Sequence, residues 1–594
     1  MRRNTTAMSS KWARSRVARW GTVAVAAALT LATASACTSS SSGSSPKSTN
    51  APSPSSTAAL AGFPRGQTLY TSGTAYAPPT IWNPFDLGNF ATGTQGLIYE
   101  PLFLYDPVKN TYDPWLASSG TWSGTTYTIH VRNGVKWSDG TALTGGDVAY
   151  SINLAMTNKS DPYNSNTSTV KSATASGNTV TVVFNSQPGY SEWQDYLWKA
   201  PVVPQHVWSK LSATQQITGA NTHPVGTGPM LLDTYNATEV AYQDNPGWWG
   251  ISQLGLKFKF KYLVDTVNGS NNVELSALTA GQVDWSNNFL PGINELISGL
   301  GGNAGYGLKT FYAKSPYMLP ANTVWLEPNT TKAPMNNVNF RKAMAYAINP
   351  QQLVQVVYSG ITEPAGPTGL LPNLKPYIDQ GVVSQNGFSY NPSLAKQYLA
   401  KSGYHGQNLT LEVPDGWTDW MAGVQVISQD LAAVGIKVTP TFPQAAARNA
   451  DLTNGTYDLA LDNNAQLDST PWSYFQRIYE LPIAKQQTAQ LNWERFSSPS
   501  DWALVQQAGS TPVTDTAKLN SIYSQLEKDF LAQLPQIPVW YNGAWFQGNT
   551  KYWTNYAQSG TSNENTPVMW NGYLGSMTTV YALANLAPAP APKS

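Results

Sequence analysis

Chemistry in this chain rests on flat rings and amides rather than on nucleophiles or metal ligands. The 594 residues hold 22 tryptophans and 31 tyrosines, whereas Asp, Glu, Lys and Arg make up only 12% of them, about half the usual share. Rings beside Asn, Gln, Ser and Thr suit stacking on, and hydrogen bonding to, a neutral or zwitterionic small molecule. The sequence carries no G-x-S-x-G elbow, no H-E-x-x-H and no Walker loop, so no catalytic motif supports an enzyme. Gly299 to Ala304 fits G-x-G-x-x-A, but it follows no strand-like run and reads as a surface turn. His130, His206, His223 and His405 are scattered, and His130 alternates with Arg132 on one strand, so no metal or other cofactor is expected.

The single cysteine, Cys37, has a different chemistry. Lys11, Arg14, Arg16 and Arg19 precede an apolar run from Val23 to Leu31, and Ala34-Ser35-Ala36 stand directly before the cysteine. A basic stretch, a short apolar stretch and small residues make a secretory signal. A cysteine at that point resembles the lipobox of bacterial lipoproteins. The resemblance implies that residues 1–36 are removed and that Cys37 is lipidated, anchoring the chain at the outer face of the bacterial cytoplasmic membrane. Residues 38–59, nearly all Ser, Thr, Ala, Gly, Pro and Asn, then read as a flexible tether. Loss of residues 1–36 takes six of the 35 basic residues and leaves 29 against 34 acidic ones, a net charge of −5. That balance gives no basic footprint for nucleic acid. No later apolar run approaches the roughly 20 residues that span a bilayer.

The elements that must position the rings fall into three zones. In the first, Tyr127, Ile129 and Val131 alternate with Thr128, His130 and Arg132, which predicts a strand. Asn133-Gly134 then predicts a tight hairpin whose return begins at Val135-Lys136-Trp137. Residues 178–185 (NTVTVVFN) form a second β-branched strand, and Thr144 with Asp147 has the form of a capping box. Gly226 and Gly228 are expected where the chain turns between lobes. The second zone, from about residue 322 to 541, is richer in helix. Asn339 is read as the cap of a helix burying Phe340, Met344 and Ala347/Ile348, and after Asn349-Pro350 the pattern continues through Leu353 and Val356/Val357. Ser393 is read as opening a third helix, with Leu394, Tyr398 and Leu399 inward. Val424, Ile427, Leu431 and Val434 mark a helix that ends at Gly435 and passes directly into the strand 436–438. That step belongs to an α/β unit, not to a helical bundle. The third zone returns to strand and loop signals and ends in an Ala-Pro tail.

Several segments in order resemble the family-5 extracellular solute-binding proteins of ABC importers. They are Tyr99-Glu100-Pro101-Leu102 with Tyr105-Asp106, the run 127–148, Pro224 to Pro229 (PVGTGP) and Asn245-Pro246-Gly247-Trp248-Trp249. Asn329, Pro334, Arg341-Lys342-Ala343, Ala347-Ile348-Asn349, residues 457–460 and Pro538 to Tyr541 complete the series. The resemblance implies an α/β, two-lobe periplasmic-binding-protein fold of type II, with an extra subdomain in the first lobe and a ligand cleft between the lobes. It assigns residues 1–36 to the signal, 37–62 to the tether, 63–105 and 225–322 to the first lobe, and 106–224 to its extra subdomain. The second lobe then covers 323–538, the return to the first lobe 539–586, and a disordered tail 587–594. A monomer is expected that captures a solute by hinge closure and delivers it to ABC permease subunits with their ATPase.

Peptide-binding relatives pair the peptide's amino terminus with an aspartate in a stretch like "W.ADY.DP". Here Gln466 stands at that aspartate's place, and Asp468 substitutes only if the loop shifts by two residues. A buried ammonium without an anionic partner costs about 3 kcal/mol, so the peptide reading is weakened. Residues 416–421 (GWTDWM) and 492–496 (NWERF) look more like the cello-oligosaccharide-binding branch. An oligosaccharide is therefore placed slightly ahead of an oligopeptide, with a sensor lipoprotein or an exported hydrolase as remoter alternatives. The resemblance makes Trp82 and Asn83, Trp417 and Trp420, Asn463, Asn464 and Asp468, Trp472 and Tyr541 the candidate ligand contacts.

Overall fold

The computed structural model describes residues 62–73, 79–87, 89–299, 306–483, 491–569 and 573–590; Cys37, the signal-like segment and nearly all of the tether lie outside them. The chain enters with β1 (Thr68–Ser72). It then builds a four-stranded antiparallel sheet from β2 (Ala117–Ser123), β3 (Thr126–Val131), β4 (Val170–Ser176) and β5 (Thr179–Phe184), in the order β2-β3-β5-β4. Tyr127, Ile129 and Val131 are buried and His130 is exposed, as a period of two requires. The expected hairpin return is absent. Gly134 does turn, at φ 76°, but only Lys136 bridges onward, to Ala142. The place beside β3 is taken by β5, an equally β-branched strand, and Val131 N donates to Asn178 O. Two helices accompany this sheet, α1 (Gly145–Thr157) and α2 (Tyr190–Lys199). Thr144 and Asp147 close the capping box of α1, with Asp147 Oδ2 accepting from Thr144 N at 2.9 Å.

The chain returns to the sheet of β1 through β6 (Met230–Tyr235), β7 (Glu239–Asp244), β8 (Tyr262–Thr266), α3 (Asn271–Thr279), β9 (Trp285–Ser286) and β10 (Leu308–Lys309). Gly226 and Gly228 do not turn between lobes. A Cβ on either would stand 2.0 Å from Ile98 O or 2.3 Å from Leu97 O. Their role is close backbone approach, with Gly228 N donating to Ile98 O at 2.9 Å.

The second lobe follows: β11 (Leu319–Pro328), α4 (Val338–Ala347), α5 (Pro350–Tyr358), β12 (Glu363–Pro364), α6 (Pro392–Ala400), β13 (Leu409–Glu412), α7 (Thr418–Val434), β14 (Val438–Thr441), β15 (Leu459–Gln466), α8 (Trp472–Tyr479), α9 (Pro499–Gly509) and β16 (Ile537–Ala544). Asn337, not Asn339, caps α4, its side chain accepting from Asn339 N; Asn391, not Ser393, caps α6. In α5 Leu353 and Val354 turn inward and Val357 packs partly buried on the same core, while Val356 is 64% exposed. Gly435 ends α7 in the left-handed region at φ 100°. These strands form one sheet in the order β12-β16-β11-β15-β13-β14. The chain then crosses back to β17 (Gln547–Asn549) and completes the first sheet as β10-β17-β9-β1-β8-β7-β6. Part of the expected tail is ordered, because Ala587 and Pro588 pair with Thr554 and Trp553.

Glu100 ties three distant segments of the first lobe together. Its Oε1 accepts from the indole N–H of Trp115 at 3.0 Å and of Trp248 at 3.2 Å, and its Oε2 from that of Trp249 at 2.9 Å. Burial pushes this carboxyl up to about 7, and the indole donors offset only part of that. The folded protein therefore holds the proton more tightly than the unfolded chain. For this group stability is greatest below pH 4.5 and falls by about 3 kcal/mol as pH rises toward 7. Burial raises Asp161, Glu192 and Glu274 in the same direction. Urea unfolding is expected to show a lower midpoint at pH 8 than at pH 5. Glu100→Gln should reduce that difference and, by leaving Trp249 without an acceptor, cost about 1–3 kcal/mol at pH 5.

Candidate ligand-binding cleft

In each sheet three neighbouring strands run parallel: β8-β1-β9 in the first and β14-β13-β15 in the second. Ligands of open α/β sheets bind outside the carboxyl ends of such strands, where the connections diverge to either side. Two hydrogen bonds cross between the lobes, the first of them joining the two sets of carboxyl ends. Asn271 at the start of α3 donates from Nδ2 to Thr418 Oγ1 at the start of α7, at 3.2 Å. Tyr105 OH donates to Asp468 O, just past β15, at 3.2 Å. The gap between these bridges is the candidate cleft.

Neutral groups supported by buried carboxyls make the first-lobe wall. Asp265 accepts from Thr71 Oγ1 at 2.7 Å and Gly73 N at 2.8 Å. Glu274 accepts from Ser286 Oγ and Asn288 Nδ2, and that amide also reaches Gly73 O at 2.8 Å. Burial pushes Asp265 up to about 6 and Glu274 up to about 7, against the pull of these donors. Asn268 Nδ2 donates to Ser72 Oγ at 2.8 Å. The second-lobe wall is aromatic. Trp417 packs edge-on against Trp420 at 4.7 Å, Trp420 against Trp540 at 6.1 Å, and Trp540 against Tyr358 at 5.8 Å. Tyr358 stacks on Trp545 at 5.9 Å, and Phe289 of the first lobe packs on both. Tyr358 OH donates to Asp419 Oδ2 at 3.0 Å, and burial lifts that carboxyl to about 6.

The expected contacts part company here. Trp417 is 37% exposed and immediately precedes Thr418 of the Asn271–Thr418 bridge. Trp420 supports it from below, at 2% exposure. Trp82 and Asn83 are sunk in the first lobe: Trp82 Nε1 donates to Tyr242 OH at 3.1 Å, and Asn83 Nδ2 to Gln215 O and Gln216 O. Tyr541 spends its hydroxyl inside the second lobe, donating to Leu370 O at 2.8 Å and accepting from Gly366 N at 3.0 Å. Trp472 is buried where α8 meets α2: a Cβ on Gly509 would stand 2.9 Å from Trp472 Nε1 and 3.1 Å from both Glu192 carboxylate oxygens. Asp468 is committed too, to Lys199 Nζ at 2.5 Å and to Ser473 Oγ. Lys199 also meets Asp195 at 2.9 Å; burial alone would lower its ammonium, but the two carboxylates outweigh that and raise it. Asn463 is half-buried on β15; the side chain of Asn464 lies outside the described residues. Sequence reasoning missed Asn271, Thr418, Asn288 and Lys199. The polar runs 268–272 and 286–288, each just past a strand, were the available signal for the amides. Lys199 had none.

This chain belongs to the bacterial extracellular solute-binding proteins, family 5, whose middle region matches residues 111–484. It is a substrate-binding protein of an ABC importer and not an enzyme. Among solved structures it is similar to a periplasmic oligopeptide-binding protein of an oligopeptide ABC transporter from Thermotoga maritima, described with bound mannohexaose. That match has 35% identity and a TM-score of 0.82, covering 89% of this chain and 99% of that one. Among curated proteins it is similar to the glutathione-binding protein GsiB of Pectobacterium atrosepticum, 26% identical over 77% of this chain and 86% of that protein. The peptide transport periplasmic protein SapA of Salmonella typhimurium is 25% identical, over 74% and 81% respectively. Among the described residues no helix is long and apolar enough to cross a membrane.

The two tryptophans of the aromatic wall should separate cleanly. Trp420→Ala, which empties a buried site, is expected to cost about 3–5 kcal/mol in urea unfolding. Trp417→Ala, at the exposed end of the ladder, should cost under about 1 kcal/mol.

Proposed function

We propose that this chain is a lipid-anchored capture protein for a short neutral oligosaccharide, which it hands to the permease after lobe closure. The observation that carries this reading is the exposed Trp417, next to the Thr418 that accepts from Asn271 of a first-lobe segment rich in Asn, Ser and Thr. A flat ring accepts the C–H face of a sugar, and neutral amides and hydroxyls bind its hydroxyls. The commitment of Asp468 to Lys199 and Ser473 removes the carboxylate best placed to hold a peptide's ammonium. The mannohexaose described with the Thermotoga protein supports the same class. The second reading, an oligopeptide, draws on the descriptions of the glutathione-binding and peptide-transport relatives.

Ligand titration against thermal unfolding tests the choice, with manno-, cello- and xylo-oligosaccharides beside glutathione and tri- to pentapeptides. A sugar at about 100 times its dissociation constant should add about 2.7 kcal/mol, while peptides leave the midpoint unchanged; the reverse pattern overturns the sugar reading. Trp417→Ala should weaken sugar binding about tenfold, the worth of one stacking face. Anchoring is tested separately. In a bacterial host the intact chain should take up labelled fatty acid and sediment with membranes, and Cys37→Ser should do neither.

A further inference from the structure

Two amides on the strands that link the lobes hold hydrogen-bonding capacity that no described group uses. Asn322 on β11 and Asn542 on β16 stand directly opposite each other in the ladder. They are 4% and 6% exposed, and the side-chain oxygen of each is buried without a partner. A buried acceptor without a donor loses its water and gains nothing, so each one calls for an explanation. Two of them side by side at one register position make a feature of the sheet.

Their position supplies the explanation. The pairing of β11 with β16 is regular from Asn322 to Val324 opposite Asn542 to Trp540, so Asn542 shares a face with Trp540. That face carries the ladder from Trp540 through Trp420 to the exposed Trp417. On its other side Asn322 pairs with Gln466, the last residue of β15, so the amides lie at the carboxyl-end edge that looks toward the first lobe. A bulge between Pro320 and Asn322 interrupts the ladder at this point; bulges often re-aim a side chain next to a site.

We propose that Asn322 and Asn542 form the floor of the cleft and accept hydrogen bonds from the hydroxyl groups of a neutral sugar chain whose ring lies on Trp417. This assignment of residues rests on the oligosaccharide reading above. An amide oxygen is an acceptor at every physiological pH and carries no charge, so it rewards a hydroxyl and gives no support to a carboxylate.

Asn322→Leu and Asn542→Leu, which keep nearly the same volume, test the assignment on two readouts. Unfolding without any ligand should show an equal or higher urea midpoint, because removing an unpaired buried acceptor relieves its cost. Mannohexaose affinity by calorimetry should fall about tenfold for either variant. A lower midpoint with unchanged affinity overturns the proposal, since it marks the amides as structural. If the wild-type chain binds glutathione and ignores mannohexaose, the sugar assignment fails. The floor itself then stands or falls on whether the same variants lose affinity for glutathione. Asn542→Asp supplies a second check: it retains the acceptor, so mannohexaose affinity should drop less than in Asn542→Leu, and an equal or larger drop overturns the hydrogen-bond role.

Discussion

Two extended segments, β11 and β16, run antiparallel side by side through the second sheet; two residues separate β16 from β17 of the first sheet, and nine separate β10 of the first sheet from β11. Everything that faces the cleft is placed by that crossing. Because the two strands share one ladder, they cannot slide past each other without breaking backbone hydrogen bonds. The parallel strands of each sheet therefore present their carboxyl ends to a common gap. The same crossing explains why the apolar core of the second lobe runs on into Leu278, Phe289 and Ile293 of the first.

A chain so poor in charge handles its buried carboxyls in a particular way. Glu100, Asp265 and Glu274 are held by indole, hydroxyl and amide donors, with none of them in an ion pair. Neutral donors only partly offset the loss of water, so burial leaves these groups raised rather than depressed. At the cleft this has a functional side. Neutral donors around carboxyls that readily hold a proton leave little fixed charge there, the property on which the oligosaccharide proposal draws.

The charged contact that does join the lobes lies at the cleft's end. Lys199 is already paired with Asp195 one turn back in α2, so its ammonium is oriented before it meets Asp468. The i,i+4 pair lies within one helix and does not depend on the position of the lobes, whereas the bond to Asp468 exists only when they meet. Asp468 is thus committed to Lys199 and Ser473.

Much of the architecture was legible in the sequence. The buried alternation of Tyr127, Ile129 and Val131, the capping box of Thr144 and Asp147, and the α7–Gly435 exit follow from local periods and local backbone needs, which any short segment carries with it. The ordered motifs led to the family for the same reason. The errors were of another kind. Residues 133–137 had the chemistry of a hairpin, yet β5 occupied the ladder beside β3, and pairing is a competition between distant strands. Trp82, Trp472 and Tyr541 have the same ring chemistry as Trp417, and only packing decides that Trp417 alone of these four is left 37% exposed. The sequence by itself determined the class of protein, its α/β elements and its neutral, aromatic surface chemistry. Tertiary structure alone decided that Asp468 pairs with Lys199 and that Asn322 and Asn542 stand opposite each other, because both depend on residues about 220 to 270 positions apart, brought together by the fold rather than by any local pattern.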